Sequence, residues 1–127
     1  MAKVVLAMRQ KILQEPMKKK IQEDTGFEVL SVDDLNLVVD VCCGNKADVL
    51  LLEVANKFPG HIDEGRKIRD ELIKRCPNCK IIFLCDSKNA DIGDRVIELK
   101  KEGVIDAFVY SNTSFDYLVA IIKSLVI

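Results

Sequence analysis

Glu53 lies near the end of the run Ala47-Asp48-Val49-Leu50-Leu51-Leu52-Glu53-Val54, a carboxylate where an apolar segment meets polar chain. A stretch this apolar suits a strand covered on both faces, the central position of a parallel sheet. Ligands and reacting groups collect outside the carboxyl ends of such strands, so Glu53 is predicted at a crevice where a charge can act. The second pattern with chemical content is Cys76-Pro77-Asn78-Cys79, the spacing of a thiol redox couple or of half a zinc site. Structural zinc wants four ligands, yet no second Cys-x-x-Cys and no histidine pair accompanies it, and Cys42 and Cys43 are adjacent. A thioredoxin-type couple puts its first cysteine at a helix N-terminus, whereas Cys76 follows a helical run. An ordinary helix-to-strand turn is the main expectation for Cys76 to Cys79, with a redox couple as the alternative.

The elements that position these residues alternate regularly. Lys3 to Met8 reads as a strand, and Met17 to Asp24 as a basic helix starting at Pro16 and ended by Gly26. Phe27 to Val32 alternates as a strand. Asp34 is placed to cap a helix running to about Cys43, with Gly44 as its stop. After the strand Asp48 to Val54 and a Pro59-Gly60 turn, Ile62 to Arg75 carries Ile68, Leu72 and Ile73 on one face of a helix. Lys80 to Cys85 is the fourth strand. Asp91 to Glu102 is a helix with Ile92, Val96, Ile97 and Leu99 inward, closed by Gly103. Ile105 to Tyr110 is the fifth strand, and a last helix runs from about Ser114 to Val126, with Thr113 and Asp116 spaced as a capping box.

Strands and helices in strict alternation imply right-handed crossovers and a doubly wound parallel α/β sheet, of which the flavodoxin-like (βα)5 order 2-1-3-4-5 is the expected form. The switch point then falls between the first and third strands. Around it gather Met8-Arg9, Glu53-Val54 and Cys85-Asp86.

Composition removes several function classes. The chain has 127 residues, 19 basic against 20 acidic, and a net charge of −1, so one domain (1–127) is the default and no global field draws in nucleic acid or an anionic membrane. No apolar run approaches the roughly 20 residues that span a bilayer, and the N-terminus lacks signal-peptide character. Five cysteines, an odd number, argue for reduced thiols, and together these features read as cytoplasmic. The loop Arg9-Gln10-Lys11-Ile12-Leu13 has no glycine or hydroxyl cluster to cradle phosphate, which speaks against nucleotide or flavin cofactors. His61, the only histidine, has no nucleophile that its spacing obliges it to meet. Lys18-Lys19-Lys20 reads as a solvated face.

In order along the chain, Gly26-Phe27-Glu28-Val29, Lys46 to Val54, Pro59-Gly60, Lys80-Ile81-Ile82-Phe83-Leu84 and the Gly103 to Val109 segment resemble the landmarks of response-regulator receiver domains, and the likeness spans essentially the whole chain. The resemblance implies a magnesium-holding acidic pair after the first strand, a phosphoacceptor Asp on the third, a hydroxyl residue on the fourth and a lysine on the fifth. This chain has Met8-Arg9, Glu53, Cys85, and Tyr110 or Ser111 at those stations. Asp33-Asp34 is a rival acidic pair, but taking it so makes Phe27 to Val32 the first strand and leaves Lys3 to Met8 outside the pattern. Asp86 is a rival acceptor, though a loop aspartate before a helix is more often a turn residue.

A guanidinium at the metal's station repels a divalent ion, so no metal or other cofactor is expected. Arg9 and Glu53 are predicted either to form a permanent charge-assisted pair or to point into water at an unused crevice. A buried pair would lose about 3–5 kcal/mol on truncating one partner. The degenerate pocket therefore comprises Met8, Arg9, Glu53, Cys85, Asp86, Tyr110 and Ser111, with no catalytic residue and no enzymatic activity. The resemblance implies a non-phosphorylated receiver acting through a protein partner or output domain. It also implies dimers through the surface from Asp91 to Lys101 and Phe115 to Ser124. A remodelled but phosphorylatable receiver, and a thiol-redox module using Cys76 and Cys79, are the alternatives.

Overall fold

The computed structural model describes residues 2–9, 11–54, 61–85 and 90–126. The apolar runs form β1 (Lys3–Ala7), β2 (Glu28–Val32), β3 (Val49–Val54), β4 (Lys80–Cys85) and β5 (Ala107–Tyr110). Between and after them lie α1 (Lys11–Thr25), α2 (Val38–Gly44), α3 (His61–Arg75), α4 (Ala90–Lys101) and α5 (Phe115–Val126). Every strand pairing is parallel and the order is β2-β1-β3-β4-β5, the flavodoxin-like arrangement predicted from the alternation.

The period-2 geometry of β3 splits its side chains between two cores. Leu50, Leu52 and Val54 face one apolar layer with Val38 and Cys42 of α2, Ile62 and Leu72 of α3, and Val96 and Leu99 of α4. Val49 and Leu51 face the other, with Met17 and Ile21 of α1 and Leu118, Val119 and Ile122 of α5. Both faces of the central strands are thus covered, which is why they read as unbroken apolar runs. Each fully buried large aliphatic side chain contributes about 1.5–3 kcal/mol. Close approach of α3 to the sheet uses Gly65, where a Cβ would stand 3.0 Å from a Val54 methyl and 3.2 Å from the Phe83 ring.

Several boundaries differ from the sequence expectation for identifiable reasons. α1 begins at Lys11 and carries Pro16 inside it, because Gln14, Met17 and Ile21 dock on the sheet and that packing outweighs one lost backbone bond. Asp34 does cap, accepting from the Asn36 N–H at 2.9 Å, but it starts a 3-10 turn (Leu35–Leu37) that leads into the shorter α2. Gly44 stays helical. The Asn45 side chain donates to the Val41 carbonyl at 2.8 Å, and the left-handed residue at this helix end is Lys46 (φ 54°). Gly26 and Gly103 close α1 and α4 as predicted, with φ of 73° and 76°. The cap of α5 is Ser114, whose Oγ accepts from the Tyr117 N–H at 3.3 Å, in place of Thr113; Asp116 instead pairs with Lys20 of α1 at 3.0 Å. Ile73 and Ile97, placed inward on sequence, are each 37% exposed, since each sits one residue past a fully buried neighbour and so turns to the rim. β5 starts at Ala107, although Ile105 before it is buried. The Pro59-Gly60 turn, Asp86 and the side chains of His61 and Ile92 lie outside the described residues.

Gln14 is an anomaly within the α1 interface: it is 5% exposed and its Nε2 has no hydrogen-bond partner among the described residues. An unsatisfied buried amide costs about 1–3 kcal/mol, so Gln14→Leu, of similar volume, is expected to stabilise the chain by about 1 kcal/mol. An unchanged or lowered urea midpoint would contradict this.

Candidate functional site

The sheet register assembles the predicted crevice. Ala7 lies beside Leu52, so Met8 and Arg9 leave β1 level with the end of β3, while Val54 pairs with Cys85 and Cys85 with Tyr110. Ser111 follows β5, and its N–H donates to the Cys85 carbonyl at 2.8 Å. The register therefore sets Tyr110, and not Ser111, beside Cys85. Six of the seven candidate residues line this edge; Asp86 is outside the described residues.

The contact between Arg9 and Glu53 exists but differs from the pair predicted by charge. The Arg9 main-chain N–H donates to Glu53 Oε1 at 2.7 Å, while Arg9 Nη2 meets Glu64 Oε2 of α3 at 3.1 Å. Glu53 is only 6% exposed. Partial exposure of the Arg9 and Glu64 side chains, 31% and 46%, explains the division. The backbone amide reaches the buried carboxylate, and the long guanidinium turns outward to an acid it can meet in water. Both readings from sequence are thereby corrected: Glu53 is neither in water nor held by a buried guanidinium. Glu64 was not singled out from sequence, because a first-turn acid is common in any helix and only the fold brings it to Arg9.

The other stations carry no phosphate chemistry of the usual kind. Cys85 is 1% exposed, its thiol lies 3.8 Å from the Phe83 carbonyl, and burial pushes its pKa up to about 12, so it stays protonated near neutrality. Tyr110 packs edge-on against Phe108, with ring centroids 5.7 Å apart and planes at 72°. Neither residue supplies a cation. Magnesium, the ion a receiver crevice uses, wants several hard oxygen ligands. Here Met8 offers a buried thioether and Arg9 a positive charge, and among the described residues no group of three or more His, Cys, Asp or Glu is placed to hold a metal. The donor set of the described residues does not fit the ion.

The acidic residues weighed as rivals have local partners. Asp33 pairs with Lys11 at 3.8 Å, and Asp34 is spent on its cap. Within the lysine run, Lys19 pairs with Glu23 and Lys20 with Asp24 and Asp116. Beyond the crevice, a groove of about 290 Å³ opens between α4, β5 and α5, lined by Lys100, Phe108, Tyr110, Thr113, Tyr117 and Ile121 among others. Tyr117 is 51% exposed at its rim. Among the described residues no helix is long and apolar enough to cross a membrane.

The Cys76-x-x-Cys79 motif is a turn, closed by the Cys79 N–H donating to the Cys76 carbonyl at 3.2 Å. Its two thiols face different neighbours. Cys79 is buried in the same apolar layer as Cys42, its thiol donates to the Lys80 carbonyl at 3.7 Å, and its pKa is raised by the neighbouring Cys42 thiol and then by burial.

No protein-family model matches the sequence, and no curated protein matches it. Solved structures do. A streptococcal protein described as one of a novel family of redox sensors evolved from two-component response regulators superposes with a TM-score of 0.80 at 16% identity, over 99% of this chain and 51% of that one. This chain thus spans about half the length of that protein. A DNA-binding response regulator of the LuxR family from Staphylococcus aureus gives 0.78 at 21% identity over 100% of both chains. A response regulator from Thermotoga maritima gives 0.76 at 15% identity over 98% of this chain and 97% of that one. These structural neighbours carry response-regulator receiver domains, and the fold is theirs.

Proposed function

We propose that this receiver-fold chain is a signalling module that works by protein contact and does not pass through a phosphorylated state. The observation that carries the reading is the clasp at the crevice: the Arg9 N–H holds the Glu53 carboxylate while the Arg9 guanidinium, paired with Glu64, sits where an acidic, metal-binding pair would be needed. Phosphoryl transfer relies on positioned cations to offset charge on the transferring oxygens, and the described residues of this crevice offer neither a magnesium donor set nor a lysine on the fifth strand for that stabilisation. The chain has no catalytic role in this reading.

The contact surface is the α4–β5–α5 face. Its groove is apolar, and Tyr117 at the rim is large and half-exposed, the kind of residue that anchors interfaces. α4 carries both signs, with Asp94, Arg95, Glu98, Lys100 and Lys101, so a second copy related by a two-fold axis meets complementary charge. A second copy of the chain is therefore the occupant assigned here.

Incubation with acetyl phosphate or beryllofluoride and magnesium is expected to leave mass and spectra unchanged. Stoichiometric gain of one phosphoryl group on Glu53 or Asp86 would overturn the reading in favour of a remodelled phosphoacceptor. Sedimentation is expected to show dimers that Tyr117→Glu converts to monomers; a monomeric parent chain would remove the second copy as occupant.

A further inference from the structure

The fold gathers Cys42, Cys43, Cys76 and Cys79 at the edge of the sheet opposite Glu53. Cys42 and Cys43 end α2 just before β3, and Cys76 and Cys79 occupy the turn from α3 into β4. All four belong to one apolar cluster, Cys42 and Cys79 inside it and Cys43 and Cys76 packed half-buried on its margin. An ion pair fixes their facing: Arg75 Nη1 meets Asp40 Oδ1 at 2.7 Å. Cys76 follows Arg75 directly, and Cys43 lies three residues on from Asp40 along α2, so the ion pair sets Cys43 and Cys76 on the facing margins of α2 and the α3–β4 turn, packed against the same apolar cluster. The starts of the strands are tied as well, with the Lys80 N–H on the Asp48 carbonyl at 2.9 Å and the Ala47 N–H on the Cys42 carbonyl at 2.9 Å.

We propose that Cys43 and Cys76 form a reversible disulfide in response to peroxide, a covalent latch between α2 and the α3–β4 turn. The couple crosses between elements and is not the one the Cys-x-x-Cys spacing suggests. Cys79 is 3% exposed and engaged with Cys42, so neither meets oxidant from solvent, whereas Cys43 and Cys76 are half-buried and within reach.

One thiolate of the pair attacks a peroxide oxygen and the O–O bond breaks. The departing hydroxide takes a proton and leaves as water, and the attacking sulfur becomes a sulfenic acid. The partner thiol loses its proton and attacks that sulfur; the S–O bond breaks, and the second hydroxide takes up a proton and leaves as water. Two thiols give up two electrons and two protons, and one hydrogen peroxide becomes two waters. Burial and the Cys76 thiol raise the pKa of Cys43 while Arg75 opposes them, so at neutral pH the oxidation is slower than at a dedicated low-pKa thiol.

The latch closes a loop that contains β3 and Glu53, and constraint of a loop of about 30 residues predicts a rise in Tm of roughly 10 °C, reversed by dithiothreitol. In the full chain, hydrogen peroxide is expected to lower the free-thiol count by two. Trypsin should then yield the peptide 21–46 joined to the peptide 76–80. That link should vanish in Cys43→Ser and in Cys76→Ser and persist in Cys42→Ala and Cys79→Ala. If a buried variant fails to fold, the map of the parent chain and the two half-buried variants still decide. A bond internal to the peptide 76–80, a link that survives Cys43→Ser, irreversible oxygen addition without loss of two thiols, or stoichiometric zinc in the purified protein each overturns the proposal.

Discussion

Glu53→Ala is expected to destabilise the chain by roughly 3 kcal/mol, while Arg9→Ala costs less than about 1 kcal/mol, although the two residues touch. The asymmetry follows from which atoms make the contact. Glu53 takes its 2.7 Å hydrogen bond from the Arg9 backbone, a donor that survives any substitution at position 9 except proline. Truncating Glu53 removes a charge-assisted bond, worth about 1.5–3 kcal/mol, and leaves a partly buried N–H without its acceptor in a pocket now short of one methylene and the carboxylate. Arg9→Ala removes only the ion pair with Glu64, whose side chains are about one-third and one-half exposed, and exposed pairs are worth about 0.2–1 kcal/mol. Glu53→Gln, which keeps an acceptor and the packing, should fall between the two. Urea midpoints at a constant m-value measure all three. Equal losses for Glu53→Ala and Arg9→Ala would mean that the guanidinium, and not the main chain, is the partner that matters.

The same division explains what could be read from the sequence. Glu53 was legible because it follows four residues, Val49 to Leu52, so apolar that their strand had to be central, and the end of a central strand is an address that the fold specifies. The strand order followed from alternation alone. Partner choice was not legible: charge arithmetic paired Arg9 with Glu53, but the decisive donor is an amide, which every residue except proline carries and no pattern marks. Glu64 and the facing of Cys43 towards Cys76 depend on how α3 lies across the sheet, information held in the packing of Gly65, Leu72 and their neighbours and not in spacing. Pro16 shows the opposite failure. A local rule put the start of α1 there, and burial of three α1 side chains overrode it.

Between pH 9 and 12 the chain is expected to lose up to about 4 kcal/mol of stability through Cys85 alone. Burial raises this thiol from an ordinary 9.0 to about 12 in the folded state. Above pH 9 the unfolded chain releases the proton while the folded chain retains it, so the unfolded state binds fewer protons and is favoured as pH rises. The contribution is fully present below pH 9, falls by about 1.4 kcal/mol per pH unit, and is exhausted near pH 12. Cys85→Ala removes the titrating group at the cost of a small cavity, about 1–2 kcal/mol for so small a deletion at a site 1% exposed. The variant should therefore be the weaker protein at pH 8 and the stronger one by pH 11. Lysines, tyrosines and the remaining thiols titrate in both proteins and cancel in the difference. Urea midpoints of the two chains under reducing conditions, taken from pH 8 to 11, should cross. Parallel curves would show that Cys85 ionises in the folded state as readily as in the unfolded one, and the crevice would then hold an available thiolate at its centre.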